Sequence, residues 1–153
     1  MTAEQRLLEL NITLPDPPVP AGLYSPVVQT GNLLFVSGQV PIKDGQVHRR
    51  GKLGENVTPE EGFECAAICA LNALGLVRSH LGGSLDRVTK VVRLAGYVAC
   101  APAFIEHPKV VNGASQVMLD VFEDAGRHAR IAIGVFELPF GVPVEVEFIF
   151  EVH

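Results

Sequence analysis

The chain has 153 residues, a length that favours one domain able to bury a hydrophobic core without disulfides or metals. With 48% hydrophobic and 19% charged residues it is no disordered chain, and so apolar a surface points to burial between subunits. A net charge of −5, with basic runs only at His48-Arg49-Arg50 and Arg127-His128-Ala129-Arg130, argues against a nucleic-acid partner. No apolar run is long enough to span a bilayer, and the start lacks the basic-then-apolar pattern of a secretory signal, so a cytoplasmic residence is expected. The 3 cysteines fit reduced thiols better than a disulfide framework.

Residues 2–10 are expected to form a short helix, with Thr2 and Gln5 as a capping box. Residues 15–20 contain four prolines and read as a stiff linker, so residues 1–20 form an extension to a single domain. Val27-Val28-Gln29 and Leu33-Leu34-Phe35-Val36 flank Gly31-Asn32 as a hairpin, and Asp44-Gly45 marks a further turn. The first long helix begins at Thr58 as N-cap, with Pro59 next and Glu61 closing a capping box. Phe63, Ala67, Ala70, Leu74, Val77 and Leu81 recur at helical spacing as its expected core face, and Gly82-Gly83 ends it.

Residues 88–100 are rich in β-branched side chains and read as a strand. Pro108 can open a second helix with Val110, Val111, Ala114, Val117, Met118, Val121 and Phe122 as its buried stripe, stopped at Gly126. Ile131, Ile133 and Val135 alternate as a strand, Leu138-Pro139-Phe140-Gly141 turns the chain, and Val144 to Val152 alternates apolar with Glu145, Glu147, Ile149 and Glu151. The order β-β-α-β-α-β-β gives an α+β fold, a mixed sheet with two helices on one face. Two helices leave the other face for neighbouring subunits.

Cys65 and Cys69 could share a helix face, but no further Cys or His follows at ligand spacing, so they read as small buried thiols and no metal site is expected. His107 reads as a helix-start residue, while the role of His128 between two arginines stays open. No dinucleotide fingerprint, phosphate loop or nucleophile elbow is present. Arg130 stands out because it heads the apolar strand Ile131-Ala132-Ile133, where a guanidinium must be paired or face a cavity. Antiparallel pairing of the last two strands would bring Glu145 to the same region. On residue chemistry alone, an Arg130–Glu145 ion pair closing that hairpin competes with a carboxylate-binding site.

Several segments together resemble the RidA/YjgF family, also called the endoribonuclease L-PSP family, from about Ala21 to Val152. They are Val36-Ser37-Gly38-Gln39-Val40-Pro41, Thr58-Pro59-Glu60-Glu61 with Asn72, Gly83-Ser84-Leu85-Asp86-Arg87-Val88, Val111-Asn112-Gly113-Ala114-Ser115, Ala129-Arg130, Leu138-Pro139 and Val144-Glu145-Val146-Glu147. The resemblance implies a chorismate-mutase-like subunit forming a homotrimer with sites in the clefts between subunits. It also implies a hydrolase that uses no cofactor and converts reactive enamines and imines, such as 2-aminoacrylate, into 2-oxo acids and ammonia. Arg130 matches the arginine that holds the substrate carboxylate, and Glu145 the glutamate that orients water or relays protons. Ser37, Gly38 and Asn112 match positions lining the cleft, with Tyr24 close to the family's tyrosine, whose own place falls near Val27. Ala132 stands where many members have cysteine, so no thiol role transfers, and His128 replaces a commoner proline.

Three functions follow as expectations: an imine deaminase, a non-catalytic binder of small carboxylates in the same cleft, and a ribonuclease. The acidic balance and the lack of interleaved aromatic and basic residues make the last the weakest.

Overall fold

In the computed structural model, which describes residues 1–20 and 22–153, the elements are α1 (Ala3–Glu9), β1 (Val27–Thr30), β2 (Leu33–Gln39), β3 (Ile42–Lys43), β4 (Gln46–Val47), α2 (Pro59–His80), β5 (Val88–Ala99), α3 (His107–Phe122), β6 (Ala129–Val135) and β7 (Val144–Val152). Ala21, where the family-like stretch begins, lies outside the described residues. The expected α+β order is present, with α1 and the β3–β4 ribbon added to it. Local chemistry sets the helix starts. Thr58 accepts from the Glu61 amide while the Glu61 side chain accepts from the Thr58 amide, and Thr2 and Gln5 do the same for α1. Each such cap contributes about 1 kcal/mol.

The main sheet runs β1-β2-β7-β5-β6, antiparallel throughout except for the parallel β5–β6 pair. This corrects the expected last hairpin. The strands β6 and β7 are not neighbours, because the 12-residue β5 lies between them and hydrogen-bonds both. A pairing partner far back in the chain wins over the near one, since β5 offers a long strand, half of it buried, beside the central β7.

Helices α2 and α3 cover one face. Val144, Val146, Phe148, Phe150 and Val152 point into that layer, all buried, and Phe148 stacks on Phe150 at 5.8 Å. Burying each such side chain contributes about 1.5–3 kcal/mol. The opposite face shows Glu145, Glu147, Ile149, Tyr97, Ile131 and Ile133 with no layer of this chain over them. In α3 the expected stripe from Val110 to Phe122 is buried throughout. In α2 the expected Ala70, Leu74, Val77 and Leu81 are buried, but Phe63 is 38% exposed, and Cys65, Ala66, Cys69 and Ala73 widen the buried face. The helix is wedged between the sheet and α3, so small residues face the tight contacts and the bulky ring is left outside.

The start of the chain docks on the helical layer through α1. The Glu4 carboxylate accepts from Arg78 Nε and Nη2 at 3.0 and 2.9 Å and from the Leu85 amide at 2.9 Å, and Leu7 is buried. The run His48-Arg49-Arg50 is also anchored. His48 lies 3.3 Å from Glu64, Arg49 3.3 Å from Glu61, and Arg50 Nε donates to the Phe140 carbonyl at 3.0 Å.

Candidate functional site

Glu145 lines a cavity of about 550 Å³ together with Tyr24, Ser37, Gly38 and Phe140, and residues 18–20 wall one side of it. A bulge in β2 builds the floor. Val36 pairs with Phe148 and Gln39 with Val146, so Ser37 and Gly38 together oppose Glu147 alone. The Gln39 amide then ties down the bulge by donating to the Ser37 carbonyl at 3.0 Å. A Cβ at Gly38 would collide with the Glu145 carboxyl group, so a larger residue there would push that group out of its present position. Burial raises the Glu145 pKa above its ordinary value, and neighbouring Glu147 adds to the rise. Glu147 itself is engaged, accepting from Tyr97 Oη at 2.9 Å with Arg93 at 3.6 Å. Across the cavity, Phe140 holds a left-handed backbone (φ 61°), an unfavourable conformation for a bulky residue, with its ring 55% exposed. The 50–51 loop fixes this turn, since Gly51 donates to the Gly141 carbonyl at 3.0 Å.

Arg130 belongs to a different cluster. Its Nη1 donates to Asn112 Oδ1 at 2.6 Å and to Ser115 Oγ at 3.1 Å, both on α3 one helical turn apart. Ser115 is held in turn by His128 Nε2 at 2.9 Å, and His128 Nδ1 donates to the Gly126 carbonyl at 2.6 Å. A carbonyl only accepts, so Nδ1 carries a proton, and in that tautomer Nε2 is free to accept a hydrogen bond from the Ser115 hydroxyl. The chain of bonds points Ser115 Oγ at Arg130. Arg130 is exposed on the single chain, yet α3 covers enough of it to pull its pKa below the ordinary value; a guanidinium stays charged regardless. One nitrogen is committed to α3, which leaves the rest of the planar fork for a carboxylate.

The two clusters face opposite ways. Arg130 pairs with Leu94, whose side chain points into the helical layer, whereas Glu145 pairs with Tyr97 on the open face. The expected intrachain Arg130–Glu145 contact is therefore absent: Arg130 bonds Asn112 and Ser115 instead. Tyr24, Ser37 and Gly38 join Glu145, and Asn112 joins Arg130. Ser115, His128 and Phe140 carry site geometry that the sequence did not assign to them. Among the described residues no group of three or more His, Cys, Asp or Glu side chains could hold a metal ion.

A mixed five-stranded sheet with both long helices on one face and two separated polar clusters defines a chorismate-mutase-like α+β subunit. The profile of the family described as "YjgF/chorismate_mutase-like, putative endoribonuclease" matches residues 4–149, and the chain belongs to this YjgF/RidA family. It is 44% identical to Protein TCP17 of Trypanosoma cruzi over 148 residues, 96% of this chain and 92% of that one. Its fold superimposes on the crystal structure of Atu1372 from Agrobacterium tumefaciens with TM-score 0.91 and 40% identity, covering 99% of this chain and 92% of the other. A Shewanella oneidensis structure matches with TM-score 0.94 and 32% identity over 99% and 100% of the two chains.

Proposed function

We propose that this protein is a homotrimeric hydrolase that deaminates small 2-imino acids, with each site assembled from the Arg130 cluster of one subunit and the Glu145 cavity of the next. One observation carries the reading: Arg130, with most of its fork uncommitted, and Glu145, with its raised pKa, lie on opposite faces of one sheet, so two copies are needed to bring them to one substrate. The uncovered face around Tyr97, Ile131 and Ile133 supplies the surface for such an assembly.

The chemistry needs little more than position. Arg130 grips the substrate carboxylate and fixes the imine carbon, which is already electrophilic. Glu145 takes a proton from a water as its oxygen bonds to that carbon, and the same proton is passed to the nitrogen. As the tetrahedral carbinolamine collapses, Glu145 carries its hydroxyl proton to the nitrogen, the C–N bond breaks, ammonia leaves and the C=O of the 2-oxo acid forms. A carboxyl group with a raised pKa suits both halves of that relay. The net charge of −5 and the polar, one-arginine cluster support a small carboxylate over an RNA substrate.

The test is a coupled assay in which a serine or threonine dehydratase generates the imine. The wild type is expected to speed 2-oxo acid release and Arg130→Ala to lose the gain. No acceleration with several amino-acid-derived imines rejects the enzyme reading. Calorimetry showing 2-oxo acid binding without turnover replaces it with a carboxylate-binding one.

A further inference from the structure

At the end of the sheet away from Arg130, Cys100 and His107 meet. Cys100 follows directly on β5, and its amide donates to the Val135 carbonyl at 3.3 Å. His107 is the first residue of the 16-residue α3. Cys100 Sγ lies 3.4 Å from His107 Nε2, a hydrogen-bonding distance for sulfur. Gly134 on the adjacent strand keeps this space open: a Cβ there would stand 2.6 Å from His107 Nε2 and 2.9 Å from Cys100 Sγ. Phe104 holds the imidazole from the side, its ring edge-on at 5.3 Å. The thiol is only partly buried and lines a cavity of about 410 Å³ with Lys52, Glu55, Phe104 and Phe136.

The charged groups around the pair are distributed unevenly. Lys52 reaches over the Phe136 ring at 4.2 Å and pairs with Glu137 at 3.0 Å, Glu55 lies on the far wall, and Glu106 precedes His107. None of them forms a hydrogen bond with the sulfur among the described residues, so the imidazole is its partner. The other two cysteines are a built-in contrast. Cys65 and Cys69 are fully buried on α2, and burial pushes the first up to about 12 and the second well above its ordinary value. A thiol becomes a nucleophile beside a proton-accepting imidazole and within reach of solvent, and of the three cysteines only Cys100 has both.

We propose that Cys100 and His107 form a reactive thiol site that exchanges with low-molecular-weight disulfides. His107 accepts the Cys100 proton, and the thiolate attacks one sulfur of the reagent. A new S–S bond forms at Cys100 as the reagent's own S–S bond breaks, and the departing thiolate takes a proton from solvent. Excess free thiol reverses the step. The apolar wall of Phe104 and Phe136 with Lys52 at the rim suits a small disulfide carrying a carboxylate.

The experiment uses the full chain at pH 7 with glutathione disulfide, followed by intact-mass and peptide mass spectrometry, and 5,5′-dithiobis(2-nitrobenzoate) for rates. One glutathionyl adduct is expected, on Cys100, absent in Cys100→Ser and removed by excess dithiothreitol. His107→Ala and the bulkier His107→Gln should slow the reaction about threefold or more, because the attacking sulfur loses its proton acceptor. Circular dichroism and the continued silence of Cys65 and Cys69 report that the variants are folded. Labelling of Cys100 no faster than an unstructured cysteine peptide, or equal rates in wild type and both His107 variants, overturns the proposal. Arg130→Ala should leave the adduct unchanged, so this site stands or falls separately from the deaminase reading.

Discussion

The Glu145 cavity and the Arg130 cluster solve different problems with different means. The cavity is a space problem: a bulge, a glycine and a proline-rich segment clear and wall a volume around one half-buried carboxylate. The Arg130 cluster is an orientation problem, solved by a line of hydrogen bonds from the Gly126 carbonyl through His128 and Ser115 to the guanidinium. The first tunes a proton affinity by burial, and the second keeps a permanent charge in place at a sheet edge. Neither alone can both hold and hydrate an imine. In the proposed reaction this division puts acid–base chemistry and carboxylate binding on separate surfaces of one subunit.

The largest expected effects come from deleting either half. Arg130→Ala removes two charge-assisted hydrogen bonds to substrate, each about 1.5–3 kcal/mol, and should lower kcat/KM by about 10²–10⁴-fold. Glu145→Gln should lower kcat by a similar ~10²–10⁴-fold with little change in KM, because the proton acceptor acts in the transition state. Mixing these two inactive variants breaks or sharpens the comparison directly. If each site takes its halves from two subunits, random exchange restores both intact halves in roughly a quarter of sites, and activity returns to roughly that fraction of wild type. Steady-state rates after mixing under subunit-exchange conditions measure this. If activity stays at the level of the parents, the two halves do not act across a subunit boundary.

Glu145→Gln carries a second, opposite signature. Burial makes the ionised carboxylate less stable in the fold than in the unfolded chain, so its penalty is absent at low pH and grows as pH rises from the ordinary value through the raised one. The variant should therefore melt slightly higher than wild type at pH 7 and no differently at about pH 3, where both states hold the proton. Scanning calorimetry at the two pH values checks the sign.

What could be read from the sequence was local. The Thr58 cap, the α3 stripe and the alternation of residues 144–152 each depend on neighbours a few positions away, and each stands as expected. The placement of β5 between β6 and β7 depends on a pairing between distant segments, and nothing in the short Leu138–Gly141 turn announces that it does not close a hairpin. Phe63 misled for a related reason. Helical spacing fixes which residues share a face but not how far along the helix or how widely around it the cover extends, and α2 is enclosed on several sides from Cys65 on while Phe63 stays outside. Arg130 was visible because a charge heading an apolar strand is anomalous, whereas Glu145, one of three glutamates on a regular polar face, stood out only through the family-like segment and a hairpin that does not form. Ser115 was quoted only as part of a family-like segment, and His128 only as a residue between arginines. Their contact exists because α3 packs along the start of β6.

His128→Ala tests the orientation half at a smaller scale. The Ser115 hydroxyl loses its acceptor and is free to rotate, but Asn112 keeps its bond to Arg130 at 2.6 Å. One neutral hydrogen bond contributes about 1 kcal/mol, so kcat/KM should fall roughly fivefold, mainly through KM. A matching loss in Ser115→Ala, with no further loss in the double variant, identifies one pathway; additive losses separate the two residues.

The smallest effect is a displacement along the pH axis. Glu145 must be ionised to accept the proton from water, so activity falls as pH drops through its pKa, which lies above the ordinary carboxylate value. Burial is the larger cause of that rise and Glu147 the smaller. Glu147→Gln removes the smaller one, so the acidic limb of the kcat profile should move to lower pH while staying above the ordinary value. The substituted amide can still accept from Tyr97 through its carbonyl oxygen, which limits the structural disturbance. A limb that moves up, or one that stays fixed in Glu147→Gln and disappears in Glu145→Gln, assigns the rise to burial alone and leaves Glu147 to hold Tyr97 and Arg93.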